Sequence, residues 1–299
     1  MRLAFIKIAL LGKEQEQSRK TDLLVIFATN FDIECRFCSN KYLLVPGFLL
    51  IVVFVITGTL FPGKPLQPIL GRPMVEHCVE RAKLYPNWDY LALTTCDEEI
   101  RQFGISKNYN VVMTSDSHTR ALDRVAEAMK VCRKPIKDSD VILCVQGDEP
   151  LLGPDLIKMI VDPLIGDNSV NGTILAVPIL DEETFLNPDT VKLVHNINFD
   201  VLYTSRSPIP YTKKFSEELG ALRVGGIFGF KWGFLKWFTN QSESPLEVTE
   251  SCDSNRIYDG GFTQRAVIMP YRKYFSVDSP GDLKRVEEAL LSDKFSQQY

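Results

Sequence analysis

Two carboxylates and an amide directly follow a short apolar run near the middle of the chain. Residues 141–144 read VILC, and residues 145–150 read VQGDEP. A short apolar run closed at once by Gly and Pro predicts a buried strand of a parallel sheet. Because ligands bind at the carboxyl ends of strands in open α/β sheets, the pattern places Gln146, Asp148 and Glu149 at a binding edge.

These acids have two interpretations. Ionised carboxylates with no basic residue beside them in the sequence suit a hard cation such as Mg²⁺ that carries substrate phosphates. The alternative is an Asp-Glu-Pro turn that caps the following helix. The motif by itself leaves both interpretations open.

The hydrophobic pattern between residues 73 and 161 alternates between strands and helices. This alternation predicts a parallel sheet with crossover helices, and therefore an α/β fold. Asp97 is placed to cap the helix that begins at residue 98. Strand patterns cover 90–95, 110–113 and 141–145, and helical patterns cover 73–84, 98–104, 123–132 and 154–161. After residue 169 strand patterns predominate, at 173–177, 191–194, 201–204, 226–230 and 266–269, and a last helix covers 280–291.

Composition and charge argue against several classes of protein. Of 299 residues, 45% are hydrophobic and 24% charged, as in a globular protein with a substantial core. A formal net charge of −4 argues against a nucleic-acid-binding protein, which normally carries a basic face. The seven cysteines are scattered and do not suggest a disulfide framework. Cys35 and Cys38 form a close pair, but a single CxxC is weak evidence for zinc.

Residues 42–61 carry no charged side chain and read YLLVPGFLLIVVFVITGTLF. About 20 such residues can span the hydrocarbon core of a bilayer as a helix. The competing interpretation is that 48–56, rich in Val and Ile, forms a central strand buried on both faces. The two interpretations exclude each other.

The segment 57–66, TGTLFPGKPL, combines glycines with a lysine. Glycines let a loop bring its backbone N–H groups close to phosphates, and Lys64 supplies a compact cation for them. The segment is not a P-loop, because the GK[ST] ending is absent. A surface turn is the alternative.

Seven segments together resemble one family. They are FPGKPL at 61–66, LGRPMVEH at 70–77, TTCDEEI at 94–100, DRVAEA at 123–128, VQGDEPLL at 145–152, LYTSRSPIPY at 202–211 and VDSPGDLKRVE at 277–287. In order and spacing they resemble the sugar nucleotidyltransferases, and among these the 3-deoxy-manno-octulosonate (Kdo) cytidylyltransferase family. The resemblance runs from about residue 61 to the end of the chain.

The resemblance implies a Rossmann-like nucleotidyltransferase fold, with a mostly parallel sheet, flanking helices and a small antiparallel-rich lobe. It implies one cytidylyltransferase domain over 42–299, with 205–263 as the lobe for sugar binding and dimerisation and 1–41 unassigned. The implied reaction is Mg²⁺-dependent transfer of CMP from CTP to Kdo or a close relative. Such transfer needs positioning and neutralisation of phosphate charge rather than a protein nucleophile. The implied partners are CTP, an acidic sugar and a second copy of the chain, in the cytoplasm.

The family's metal and phosphate residues have counterparts here. The resemblance implies that Asp148 and Asp278 hold Mg²⁺, and that Lys64 belongs to the phosphate loop with Gly58 and Gly63. For Asp278 the alternative is a helix N-cap before Pro280.

The family's substrate residues also have counterparts. Asp123 and Arg124 fall in the segment that lines the cytosine pocket. Gln146 and Arg206 lie near the sugar acid, where a guanidinium can pair bidentately with a carboxylate. Two further residues belong to the sugar site by resemblance, Arg223 and Glu247. For Glu247 the alternative is a solvated helix face, and the sequence favours structural roles for His77 and His195 while leaving His118 open.

The chain departs from the family ahead of the PGKPL segment. Relatives carry two arginines there, at the end of the first strand and just before the Pro, where this chain has 52–55 (VVFV) and 58–60 (GTL). Losing one charge-assisted contact in the transition state costs roughly 10²–10³ in rate. Three explanations fit: a weak or inactive relative, an enzyme with an altered loop and a membrane anchor at 42–61, or a wrongly joined first segment. The alternative to an enzyme is therefore a degenerate, membrane-anchored homologue with a non-enzymatic role.

Overall fold

A mixed sheet of nine strands forms the centre of the described part of the chain. The computed structural model describes residues 50–55 (backbone only), 63–118, 120–131, 135–270, 272–277 and 279–299, all within the unit Leu44–Tyr299. The strands are β1 Leu50–Val55, β2 Pro68–Ile69, β3 Arg72–Pro73, β4 Tyr90–Thr95, β5 Val111–Met113, β6 Val141–Gln146, β7 Gly172–Pro178, β8 Lys192–His195, β9 Val201–Ser205, β10 Leu222–Lys231 and β11 Arg265–Ile268. The helices are α1 Met74–Lys83, α2 Glu98–Ser106, α3 Ala121–Lys130, α4 Pro154–Gly166, α5 Glu182–Leu186, α6 Trp232–Thr239, α7 Pro245–Glu250, α8 Asn255–Asp259 and α9 Pro280–Ser292.

Parallel and antiparallel pairings are equally common in the large sheet. Its main path runs β11-β7-β10-β6-β1-β4-β5, with β8 beside β10 and β9 beside β8. Among the described strand pairs of this sheet, four are parallel and four are antiparallel. The prediction of a mostly parallel sheet is wrong, because β10 lies antiparallel between β6 and β7. The α/β class itself is confirmed.

The direction of β10 could not be taken from its hydrophobicity. Residues 225–230 are all buried, as in a strand that is covered on both faces. A continuous apolar run reports burial on both faces and not the direction of the neighbouring strand. Strand β8 lies between β9 and β10 and is antiparallel to both, so β10 runs in the same direction as β9.

Strand β1 resolves the two interpretations of the apolar segment 42–61. It pairs in parallel with β6 on one side and β4 on the other, with Val52 opposite both Leu143 and Leu91. The strand interpretation is therefore confirmed over Leu50–Val55, and a continuous membrane-spanning helix over 42–61 is excluded. None of the described helices is long and apolar enough to cross a membrane. The rest of 42–61, and the pair Cys35 and Cys38, lie outside the described residues.

Two apolar cores cover the two faces of the sheet. Alternate residues of β6 divide between them, as the twofold period of a strand requires: Val141, Leu143 and Val145 join one core, Ile142 and Cys144 the other. Helices α1, α4 and α9 contribute to the first core, and α3 and α6 to the second. Helix α2 begins at the predicted cap, where the Asp97 carboxylate accepts from two backbone N–H groups.

The segment 205–263 contains β10 and the three short helices α6, α7 and α8. The antiparallel pair β8–β9 comes just before it, at 192–205. Assignment of this segment as a separate sugar-binding and dimerisation lobe stays a prediction.

Candidate active site

Three distant segments meet at the carboxyl end of β6. The Lys64 Nζ donates to Asp148 Oδ2 at 2.8 Å and to the Val277 carbonyl at 2.7 Å. The Val277 N–H donates in turn to the Asp148 carbonyl at 3.0 Å. Lys64, Asp148 of the QGDEP motif and Val277 thus form one bonded cluster.

Gly63 sets the direction of the Lys64 segment. Its φ of 70° lies in the left-handed region, which glycine adopts without the steric cost that other residues bear. The following turn, Lys64–Leu66, is closed by the Leu66 N–H on the Gly63 carbonyl at 3.0 Å. Gly63 is exposed, but Lys64 is only 8% exposed, so its side chain does not extend into solvent. Gly58 lies outside the described residues.

Asp148 has one carboxylate oxygen that is free to bind a ligand. Its Oδ1 is buried and has no hydrogen-bond partner among the described residues. No cluster of three or more His, Cys, Asp or Glu in that part of the chain has metal-binding geometry. Mg²⁺ is commonly held by one or two carboxylates together with substrate phosphates, so this donor set fits Mg²⁺. Asp278, the predicted second carboxylate, lies outside the described residues and directly follows Val277.

Glu149 is a buried acid that the sequence analysis did not assign to the site. It is 1% exposed, and its Oε1 accepts from the Gly226 N–H at 2.7 Å and from the Ser276 hydroxyl at 2.8 Å. Burial, and then the charge of Asp148, raise the pKa of Glu149 to about 7. The available signal was its place beside Asp148 in the motif, for which a cation site and a turn were both left open.

The predicted cytosine residues lie at the start of α3. Arg124 is 2% exposed and donates to the Thr114 hydroxyl at 2.7 Å and the Ser115 carbonyl at 3.0 Å. It therefore holds the loop between β5 and α3 in place. Asp123 is half-buried, and burial raises the pKa of its carboxyl, with Glu247 adding to the rise.

The guanidinium of Arg206 is occupied by backbone carbonyls. It donates to Glu250 O at 2.9 Å, Pro188 O at 3.0 Å and Ser251 O at 3.4 Å. The predicted pairing with a sugar carboxylate stays a prediction, and it requires this arginine to exchange partners. Arg223 donates to the Tyr274 carbonyl at 3.0 Å and so joins β10 to the segment 272–277.

Glu247 is completely buried in a network of its own. It forms a capping box with Ser244 at the start of α7, and Arg256 Nε donates to its Oε2 at 2.7 Å. The alternative of a solvated helix face is therefore wrong. A direct role of Glu247 in sugar binding or dimerisation stays a prediction.

Comparison with known proteins identifies the family. A family model described as cytidylyltransferase matches residues 58–266. This chain belongs to the cytidylyltransferase family. It is 34% identical over 235 residues to the 3-deoxy-manno-octulosonate cytidylyltransferase of Syntrophus aciditrophicus, covering 77% of this chain and 92% of that protein. The protein of the same name from Nitratidesulfovibrio vulgaris is 37% identical over 226 residues, covering 75% and 88%.

Solved structures resemble this cytidylyltransferase as well. The structure of CMP:2-keto-3-deoxy-manno-octonic acid synthetase complexed with CTP has a TM-score of 0.73 at 28% identity, covering 82% of this chain and 99% of that one. A 4-diphosphocytidyl-2C-methyl-D-erythritol synthase has a TM-score of 0.55 at 15% identity, covering 81% and 99%, and shares the fold alone.

The described site residues of the cytidylyltransferase fall into three groups. Lys64, Asp148 and Gln146 lie at the carboxyl end of β6, with Gln146 beside Gly226. A second group joins Asp123 and Glu247 with their basic neighbours Arg120 and Arg256. A third group surrounds Arg206.

The histidines have mainly structural contacts in the cytidylyltransferase. His77 is buried, with Nδ1 2.7 Å from the Tyr299 hydroxyl and Nε2 2.8 Å from the Ile69 carbonyl. His195 Nδ1 lies 2.7 Å from the Asn196 carbonyl. These contacts agree with the structural roles expected for both residues, while His118 contacts Glu127.

Proposed function

We propose that this cytidylyltransferase transfers CMP from CTP to 3-deoxy-D-manno-octulosonate (Kdo) or a close relative, with release of pyrophosphate. The observation that carries the proposal is the meeting of Lys64 and Asp148 at the carboxyl end of β6. It is supported by relatives of that name over three quarters of the chain and by a similar synthetase solved with CTP.

In the proposed reaction the anomeric hydroxyl oxygen of the sugar acid forms a bond to the α-phosphorus of CTP. The bond from that phosphorus to the α–β bridging oxygen breaks, pyrophosphate leaves and the hydroxyl proton is released. The chain's part is to hold the two substrates in line and to offset the charge of the phosphates.

Lys64 supplies fixed positive charge to this reaction. Its ammonium is held by Asp148 and the Val277 carbonyl, so it is oriented before substrate arrives. We propose that the loop containing Gly58 and Gly63 brings backbone N–H groups to the phosphates beside it. Preoriented charge of this kind stabilises a transition state without reorganisation at the moment of reaction.

Asp148 and Asp278 are the proposed Mg²⁺ residues. The unpartnered Oδ1 of Asp148 is the acceptor that would face the ion. When bound, Mg²⁺ would neutralise charge on the phosphate oxygens. Asp148 and Asp278 would act only by holding and orienting the ion.

The remaining proposed roles concern recognition. Asp123 and Arg124 form or support the cytosine pocket, and Gln146, Arg206, Arg223 and Glu247 the sugar site. We propose a homodimer formed through the 205–263 lobe, where Val248 and Phe262 are apolar and about half exposed. The proposed location is the cytoplasm, where CTP is available.

The base and the sugar are tested by product analysis. Purified protein with Mg²⁺ is given CTP, UTP or ATP, each with and without Kdo, and pyrophosphate and the nucleotide sugar are quantified. We expect release only with CTP and Kdo together, and a CMP-sugar product. Release with another nucleotide would overturn the assignment of the base. A folded protein that binds CTP without any release would instead support the degenerate homologue.

A further inference from the structure

Glu149 joins three segments of the chain that surround Asp148. Its own backbone follows Asp148, its Oε1 accepts from the Gly226 N–H of β10, and the same oxygen accepts from the Ser276 hydroxyl. These contacts are 2.7 and 2.8 Å long. One fully buried carboxylate oxygen therefore ties the end of β6 to β10 and to the segment 272–277.

The backbone of β10 is shaped to receive this side chain. The register of β10 against β7 shifts between Val224 and Phe228, as at a β-bulge. A Cβ on Gly226 would lie 2.4 Å from Glu149 Oε1 and 2.9 Å from Gln146 Oε1. Any other residue at position 226 would displace the Glu149 carboxylate, so this close approach requires glycine.

The segment that Glu149 holds leads directly to the second proposed metal carboxylate. Ser276 is followed by Val277, whose N–H bonds the Asp148 carbonyl and whose carbonyl bonds Lys64. Arg223 adds a further contact to this segment at the Tyr274 carbonyl. The next residue after Val277 is Asp278. The segment up to Val277 is thus held by contacts to Lys64, to Asp148 at the end of β6 and to β10.

We propose that Glu149 is a positioning residue that holds the segment 272–277, which precedes Asp278 in the chain, against Asp148. The inference rests on the proposed function, in which these two aspartates share a cation. Glu149 acts through the backbone on either side of its hydrogen bonds to Gly226 and Ser276.

The chemistry of the contact explains why an acid occupies this buried position. A carboxyl oxygen has two lone pairs and accepts two hydrogen bonds at once, one from each of these donors. Removal of the side chain leaves the Gly226 N–H and the Ser276 hydroxyl without their acceptor. Segment 272–277 then keeps the Lys64, Asp148 and Arg223 contacts but loses its tie to the bulge of β10.

The first test measures metal dependence in Glu149→Ala and Glu149→Gln. We expect the alanine variant to need about 10- to 100-fold more Mg²⁺ for half-maximal pyrophosphate release, as loss of outer contacts around metal ligands typically causes. The glutamine variant retains an amide oxygen that accepts from both donors, and it should stay close to the wild type. Affinity for Mn²⁺ in the presence of CTP, measured by electron paramagnetic resonance, should change in parallel.

A matched control separates positioning from loss of stability. Glu76 lies on α1 and is another buried glutamate. It pairs with Lys107 and has no contact with segment 272–277. Glu76→Ala should lower the melting temperature while leaving the Mg²⁺ requirement of the folded protein unchanged. Hydrogen exchange of a peptide covering 272–277 should accelerate in Glu149→Ala and not in Glu76→Ala.

Two further variants cover the case in which Glu149→Ala does not fold. Ser276→Ala removes one donor at a half-buried position, and Gly226→Ala displaces the carboxylate through the new Cβ. Both should raise the Mg²⁺ requirement. If the wild type turns over and these variants keep its Mg²⁺ requirement and Mn²⁺ affinity, the positioning role is wrong. If the wild type itself does not transfer CMP, the proposed function fails instead.

Discussion

At the scale of single residues, Lys64 is the side chain whose surroundings most directly suggest its chemistry. A buried lysine is tolerated because its ammonium has two acceptors, the Asp148 carboxylate at 2.8 Å and the Val277 carbonyl at 2.7 Å. The chain lacks the two arginines that relatives carry ahead of this loop. Under the proposed function, Lys64 therefore supplies a larger share of the positive charge at the phosphates.

Substitution of Lys64 should affect turnover more than CTP binding. Lys64→Met keeps much of the apolar stem and removes the charge, so we expect kcat to fall by roughly 10²–10³. The measurement is pyrophosphate release at saturating CTP, sugar and Mg²⁺. Lys158→Met, an exposed lysine on α4, is the control and should keep wild-type turnover. A Lys64 variant with unchanged kcat would contradict a role in the transition state.

His77 gives a prediction about pH and stability. Burial lowers the pKa of His77, and the charges of Arg72 and Arg81 lower it further. The hydrogen bond to the Ile69 carbonyl and the charge of Glu76 raise this pKa, but they do not offset the burial. Below the ordinary histidine pKa of about 6.5, the unfolded chain takes up a proton that the folded chain does not. The contribution of His77 to the free energy of unfolding is therefore complete above this pH and is lost as the pH falls below it.

Comparison with His77→Gln isolates that contribution. The free energy of unfolding is measured in denaturant for both proteins, from about pH 7.5 to about pH 5.5, across the range in which histidine titrates. Other titrating groups are common to both and cancel in the difference. We expect the free energy of unfolding to fall less on acidification in the variant than in the wild type. An equal fall in both proteins would show that His77 does not resist protonation.

At the scale of elements, helix and strand ends were more predictable than strand direction. The cap at Asp97 followed from residue type and position alone, and the structure places its carboxylate 2.8 Å from the Glu99 N–H. Strand β1 was one of two interpretations of an uncharged run rich in Val and Ile, and its pairing with β4 and β6 decides for the strand over Leu50–Val55. The direction of β10 relative to β6 and β7 depends on the path of the chain through the sheet. Hydrophobic periodicity carries no information on that path.

The Asp97 cap should make a measurable contribution to the free energy of unfolding. Asp97→Ala removes the acceptor of two N–H groups at the start of α2, and we expect a loss of about 1 kcal/mol in the free energy of unfolding. Asp97→Asn retains a side-chain oxygen and should lose much less. Chemical denaturation of the three proteins gives the comparison. Equal stability of the alanine and asparagine variants would show that the cap contributes nothing.

At the scale of the whole molecule, the sequence placed motifs on elements but did not show which side chains would meet. Lys64 and Asp148 are 84 positions apart, and only the sheet order brings them into contact. Arg124 and Arg206 matched binding motifs, yet their guanidiniums bond backbone carbonyls. The hydrogen bonds of Glu149 could not be predicted from the sequence, because its two donors come from β10 and from segment 272–277. No local pattern connects these segments to Glu149.

We propose that Asp148 and Lys64 form the centre of the active site of this cytidylyltransferase. The most direct test is the rate of CMP-Kdo formation from CTP and Kdo with Mg²⁺, in the wild type, Asp148→Ala and Asp162→Ala. Asp162 is an exposed aspartate on α4 and serves as the matched control. We predict turnover by the wild type and the control, and at least roughly a 10²-fold loss in Asp148→Ala. Equal turnover by all three proteins, or none by a folded wild type that binds CTP, would contradict the account.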